Sequence, residues 1–291
     1  MENNMKILVT GARGQLGHDV CRELIRRGYT CVRGIDIDEL DITCEEAVRK
    51  FMGDFRPDTV VHCAAYTAVD RAETESELCR RVNAFGTKHL SKAAGDLGAK
   101  FLYVSTDYVF DGQKEGEYLP DDLRCPCSVY GATKAEGEDF VRSACKKHFI
   151  VRTAWVFGKA GNHFVKTMLR LTETKKELSV VCDQVGSPTY TVELAKLLAD
   201  MCESEKYGVY HATCEGFCSW YEFALEIFRL AGKNVTVHPV TTEQYRTMVT
   251  QQALRPLNSR LNKDKLVEHG FSRLSSWQDA LKSYLSELNE Q

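Results

Sequence analysis

The sequence predicts a doubly wound α/β fold: an open parallel sheet with helices on both faces, followed by a smaller C-terminal α/β lobe. Three observations carry this. Apolar, strand-like runs alternate with helical periodicity from Met5 to Gly158. A glycine-rich segment, Gly11-Ala12-Arg13-Gly14-Gln15-Leu16-Gly17, lies directly between the first run and the first helix. The alternation breaks after Gly158, which divides the chain into 1–158 and 159–291, with a helix at about 190–204 expected to return to the first part.

Met5-Lys6-Ile7-Leu8-Val9-Thr10 reads as a buried parallel strand. Leu16, Val20, Leu24 and Ile25 then fall at helical spacing, and Arg26-Arg27-Gly28 ends that helix. Gly11, Gly14 and Gly17 therefore occupy a strand-to-helix turn. There the backbone can approach a pyrophosphate, and the helix N-terminus offers free N–H groups. This is the dinucleotide-binding turn of a Rossmann fold, spaced Gly-x-x-Gly-x-x-Gly; the plain alternative is a glycine turn alone. Tyr29 to Gly34 is the second strand. Arg33, with Arg13, suits the 2′-phosphate of NADPH, while Asp36 and Asp38 keep NADH open. Asp41 either caps the next helix or bonds adenine.

Asp58 to Ala65 is a third strand, and His62 reads as a packed strand residue. Leu78 through Leu97 reads as one helix, with Asn83 a surface amide. Lys100 to Val104 is the next strand, and it runs into Ser105-Thr106-Asp107 at the crevice edge. Thr106 is placed there to hydrogen-bond a substrate carbonyl; ordinary strand-end capping is the plain alternative. Tyr130-Gly131-Ala132-Thr133-Lys134 follows, with its phenol and amine one helical turn apart. An ammonium beside a phenol lowers the phenol pKa and makes it a proton donor to a forming alkoxide. Phe149 to Gly158 is a further strand. The C-terminal part shows strands at 178–181 and 208–212, helices at 162–172, 192–201, 219–230 and 277–288, and a loop with two guanidinium groups able to grip phosphate, Arg255 and Arg260, for which a solvated basic turn is the plainer reading.

With 291 residues, 43% hydrophobic, the chain can bury a full core. A net charge of −3, from 38 basic and 41 acidic residues, argues against a nucleic-acid partner. No apolar run reaches the roughly 18 residues a bilayer requires, and Met1 to Asn4 lacks a signal-peptide core. The twelve cysteines include no Cys-x-x-Cys, so reduced thiols in a cytoplasmic protein are expected rather than zinc.

The Thr-Gly-x-x-Gly-x-x-Gly opening, Ser105-Thr106-Asp107 and Tyr130-x-x-x-Lys134 resemble the extended short-chain dehydrogenase/reductases. Ala65-Tyr66-Thr67-Ala68-Val69-Asp70, Arg152-Thr153-x-Trp155-Val156, Asp183-Gln184-x-Gly186-x-Pro188-Thr189 and Arg255-Pro256-x-Asn258-Ser259-Arg260-Leu261 extend the resemblance along nearly the whole chain, toward the dTDP-4-dehydrorhamnose reductase family. The resemblance implies reduction of the C4 ketone of dTDP-4-dehydro-L-rhamnose. It implies that Tyr130 is the general acid, that Lys134 tunes it and holds the nicotinamide ribose, and that Thr106 polarises the carbonyl. Gly14, Gln15, Leu16, Asp41, Ile42, Ala65, Tyr66 and Thr67 would line the cofactor, Asp107 and Trp155 would meet the sugar nucleotide, and the Arg260 loop would grip its diphosphate. Some members bind magnesium at a dimer contact; Asp19 at the corresponding early position leaves both the ion and a monomer or homodimer open. A retained-NAD dehydratase would need Thr-Asp-Glu where this chain has Thr106-Asp107-Tyr108. A regulatory subunit of methionine adenosyltransferase, which resembles the same family, stays open as a non-catalytic alternative, as does another nucleotide-sugar reductase.

Overall fold

The computed structural model describes residues 3–249 and 253–289. Five strands of the first part are β1 (Asn3–Thr10), β2 (Tyr29–Ile35), β3 (Thr59–His62), β4 (Lys100–Thr106) and β5 (His148–Thr153). They form one parallel sheet in the order β5-β4-β3-β1-β2, and Gly208–His211 adds a sixth parallel strand beside β5. The apolar runs are unbroken because helices cover both faces: Ile7, Leu8, Val9, Val60, Val61, Phe101, Leu102, Phe149, Ile150 and Val151 are fully buried. β2 and β3 lie on opposite sides of β1, so the strand order reverses between β1 and β3. Sheets of this kind open their ligand crevice at that point, beyond the carboxyl ends of the strands.

Helix α1 (Gln15–Arg26) lies on one face with Thr191–Glu203 beside it. Arg27 reaches Asp200 at 2.6 Å, and Tyr29 donates to Glu203 at 2.6 Å across the same seam. The chain beyond Phe157 thus returns to the first sheet twice, once as this helix and once as the Gly208–His211 strand. The rest builds small units: Glu177–Val181 pairs with Thr236–Val240, and the helices Phe164–Leu171 and Trp220–Leu230 sit nearby. The helix Thr242–Met248 starts from a capping box between Thr241 and Gln244, a signal present in the sequence at that spacing.

The expected single helix over 78–97 is broken into three. Ser76–Arg80 is α-helical, Arg81–Gly86 is a π-helical turn, and Thr87–Leu97 is α-helical again. The wide turn brings Asn83 inward instead of leaving it at the surface, where only 1% of it is exposed. π-Turns inside helices commonly mark such functional bends.

Candidate active site

The crevice begins at the glycine turn. Gly11 adopts φ +68°, and a Cβ there would lie 2.8 Å from the Ala64 backbone of β3's exit, so only glycine fits. A Cβ on Gly17 would lie 2.1 Å from the Gly11 carbonyl, which lets α1 seat directly on the turn. Gly14 is the N-cap of α1 and offers no side-chain acceptor, and the first turn holds no acidic residue. The N-terminal N–H groups and the positive dipole end therefore remain open to an anion. The Gln15 Oε1 is buried without a partner among the described residues, while its Nε2 donates to Asn162 at 3.2 Å. An open helix start with an unsatisfied amide oxygen beside it fits a dinucleotide.

The second group stands at the end of β4. Ser128 caps the Val129–Ala144 helix by accepting the Gly131 N–H at 3.1 Å. A Cβ on Gly131 would lie 2.2 Å from the Tyr108 carbonyl, and one on Gly137 would lie 2.4 Å from the Tyr103 hydroxyl. These two glycines let the helix lie close against β4 and its exit, so Tyr130 reaches the strand end. The Tyr130 ring meets Tyr108 edge-on at 5.4 Å, and its phenol lies near enough to the Thr106 hydroxyl to be influenced by it. Thr106 also donates to Asp107 Oδ1 at 3.0 Å and accepts the Tyr108 N–H at 3.2 Å.

Lys134 is buried one turn further on. Its Nζ donates to the Val104 carbonyl at 2.7 Å and lies 4.0 Å from the centre of the Tyr103 ring. Burial lowers its pKa to about 7, against an opposing pull from Glu138. The expected lowering of the Tyr130 pKa by Lys134 is not found. Burial pushes the phenol up, the neighbouring Thr106 hydroxyl pulls it down, and nearby Asp107 adds to the rise. The physical reason is direction: the amine is turned toward Val104 and Tyr103, and its own charge is partly lost at neutral pH.

Asp107 is 3% exposed, and Ser259 donates to its Oδ2 at 2.5 Å. Burial raises the Asp107 pKa to about 6, against the bonds from Ser259 and Thr106. His62 is the packed strand residue expected. Thr87 gives its hydroxyl proton to the Asn83 carbonyl, so it accepts from His62 Nε2 at 3.0 Å. His62 Nδ1 must then accept from Thr10 at 2.7 Å, and burial holds the ring neutral with a pKa of about 3.

The RmlD substrate binding domain family matches residues 5–290. The dTDP-4-dehydrorhamnose reductase of Aggregatibacter actinomycetemcomitans is 42% identical over 290 residues, covering 96% of this chain and 97% of that protein. The chain belongs to the dTDP-4-dehydrorhamnose reductase family. A solved dTDP-4-dehydrorhamnose reductase from Clostridium acetobutylicum superposes with a TM-score of 0.94 at 45% identity, over 98% of this chain and 100% of that one. A second, from Bacillus anthracis in complex with NADP, superposes at 0.93 with 41% identity and the same coverage.

Arg33 lays its guanidinium over Phe51 at 4.6 Å and over Phe55 at 5.6 Å, both on α2 (Glu45–Phe55). Arg13, in the glycine turn, bonds Asp36 through its N–H at 3.2 Å and Asp38 through its guanidinium at 2.7 Å. Both arginines stay exposed while making these contacts. Asp41 accepts from the N–H and hydroxyl of Thr43 at 2.9 and 2.8 Å, and Cys44 rather than Asp41 is the N-cap of α2. Ile42 is buried against Gly86, where a Cβ would lie 2.8 Å away. Leu16 is buried on α1, and Thr67 is exposed on the loop after β3, next to half-buried Ala65 and Tyr66.

Asn83, read from sequence as a surface amide, clamps that loop. It accepts the Tyr66 N–H at 2.8 Å and donates to the Tyr66 carbonyl at 3.1 Å. Of the two loop arginines, Arg255 is held by Asp70 at 3.0 and 2.8 Å, while Arg260 donates through Nε to Asn258 at 2.9 Å. Trp155 is half-buried with φ +50°, a conformation that costs a bulky residue roughly 1–3 kcal/mol. Asp19 is buried, takes the Thr191 hydroxyl at 2.5 Å and faces His18 and Arg22, so its oxygens are engaged within the chain. No group of three or more metal-ligating side chains occurs among the described residues, and none of the described helices is long and apolar enough to cross a membrane.

Proposed function

We propose that this protein reduces the C4 ketone of dTDP-4-dehydro-L-rhamnose to dTDP-L-rhamnose, using NADPH, with NADH as a second donor. The observation that carries the reading is the gathering of the Thr106 hydroxyl and the Tyr130 phenol at the end of β4, with Lys134 one turn along the Tyr130 helix. The names of the relatives and the NADP complex of the Bacillus anthracis protein support it.

The bound nicotinamide would supply a hydride to C4 of the sugar. Gly11, Gly14, Gln15, Leu16 and Gly17 would hold its pyrophosphate, with Asp41, Ile42, Ala65, Tyr66 and Thr67 along the cofactor and Arg33 near the adenosine end. Lys134 would turn from the Val104 carbonyl to the nicotinamide ribose hydroxyls. Thr106 would donate to the C4 oxygen, giving up its bond to Asp107. Tyr130 would deliver its proton to the same oxygen as negative charge develops there, and a proton from solvent would restore the phenol. The phenol, pushed up by burial, carries its proton at neutral pH and so has one to give. Asp107 and Trp155 would face the sugar, and Arg260 the diphosphate. All twelve cysteines are free, which suits a reducing cytoplasm.

The test is NADPH oxidation, followed by the nicotinamide absorbance, on adding dTDP-4-dehydro-L-rhamnose. Oxidation with dTDP-L-rhamnose as product is expected. Absence of turnover with this compound, alongside turnover of a different keto sugar nucleotide, would overturn the substrate.

A further inference from the structure

Trp155 holds an unfavourable backbone conformation beside the crevice, and three neighbours keep it there. The Thr189 N–H donates to its carbonyl at 3.1 Å. Gly186 lies against the indole edge, where a Cβ would come within 2.9 and 3.0 Å of Cε2 and Cζ2. Trp220 stacks on the ring, with centroids 3.6 Å apart and planes 13° from parallel. Trp220 is itself fixed. It begins the Trp220–Leu230 helix, whose capping box joins Ser219 and Glu222, and its ring rests on Phe164 at 4.5 Å.

The stack also connects to the reacting end of the crevice. The same hypothetical Cβ on Gly186 would lie 3.1 Å from the Ser259 Cβ. Ser259 donates to Asp107, and Asp107 accepts from Thr106. Trp155 and Ser259 thus stand on either side of Gly186. Offset or parallel indole pairs are attractive beyond the area they bury, so the partner ring can hold a strained backbone in place.

We propose that Trp220 is a positioning residue for the nucleotide-sugar substrate, propping the Trp155 indole as a fixed wall of the sugar subsite. This rests on the reading that the crevice takes a keto sugar nucleotide. Trp220 touches no reacting atom; it acts by denying Trp155 the relaxed conformation in which the wall would be lost.

The experiment uses the full chain and three substitutions. Trp220→Leu should raise KM for dTDP-4-dehydro-L-rhamnose by about tenfold or more, with kcat within about threefold and NADPH affinity within about twofold of wild type. The paired far-UV circular dichroism bands of two stacked indoles should vanish in the same variant. Trp220→Phe, which keeps an aromatic face, should restore most of the KM. Gly186→Ala should raise KM without touching Trp220, by driving a methyl into the Trp155 ring, and it carries the test if Trp220→Leu does not fold. A wild-type KM in Trp220→Leu or Gly186→Ala overturns the proposal, as does a parallel loss of KM, NADPH affinity and melting temperature. A wild-type enzyme that does not oxidise NADPH with this sugar overturns the substrate reading, a failure seen before any variant is made.

Discussion

Arg152 lies wholly inside the protein and meets Glu138 through two contacts, Nε to Oε1 at 2.8 Å and a terminal nitrogen to Oε2 at 2.7 Å. Ser105 adds a hydroxyl to Oε1 at 2.6 Å, and the remaining Arg152 nitrogen donates to the Pro120 carbonyl at 2.9 Å. One ion pair thus ties the helix of Tyr130 to β4, to β5 and to the loop ahead of that helix. The pair's net worth against an apolar substitute is small, but breaking it strands a buried charge. Glu138→Ala is expected to destabilise the fold by roughly 3–5 kcal/mol, read as a lower urea midpoint. A loss under about 1 kcal/mol would show that Arg152 finds another partner.

Tyr130→Phe keeps the ring against Tyr108 and removes only the hydroxyl facing Thr106. Turnover should fall by roughly two to four decades while NADPH affinity stays near wild type. Stopped-flow single turnover with bound NADPH separates the two; a variant that turns over at the normal rate removes Tyr130 from the proton step.

Lys134→Met exchanges a buried amine for an apolar chain of similar length. Cofactor affinity and rate should both drop by about tenfold or more if the ribose contact is made. The fold should respond differently. Unfolded lysine keeps its proton up to its ordinary value of 10.5, whereas folded Lys134 loses it near about 7. Between these values the unfolded chain binds more protons, so wild-type stability rises with pH, and the variant should lack that share of the rise. Melting temperatures of both proteins from pH 7 upward would show identical slopes if Lys134 were not depressed.

Asp107 gives the opposite sign. Its folded pKa of about 6 lies above the ordinary 3.8, so the folded state holds the extra proton between those values. Stability contributed by Asp107 is therefore complete below about pH 4 and declines as pH rises through 6, by on the order of 2–3 kcal/mol. Asp107→Asn should flatten this part of the stability–pH curve. A curve parallel to wild type would mean that the carboxyl titrates normally.

The parts legible in sequence are those written locally. The glycine turn stands between a buried strand and an amphipathic helix, and the Tyr130 and Lys134 pair is one helical turn of a capped helix. What escaped depends on distance or direction. Ser259 meets Asp107 across 152 positions, and Trp155 meets Trp220 from separate elements. Asn83 turned inward because a π-turn replaced a regular one, which no residue spacing announces. Arg33 keeps its exposed place on β2, but its guanidinium lies over two phenylalanine faces on α2, a contact between separate elements. Lys134 was correctly placed on its helix, but burial and the Val104 carbonyl set its aim and its charge.

The Gly208–His211 strand has a practical consequence for anyone wishing to isolate the chain up to residue 158. Truncation after residue 158 would strip β5 of its outer neighbour and bare a row of unpaired backbone amides along an apolar strand. Such a fragment invites edge-to-edge association, so a soluble minimal version would have to carry the later strand along or graft a charged substitute onto β5.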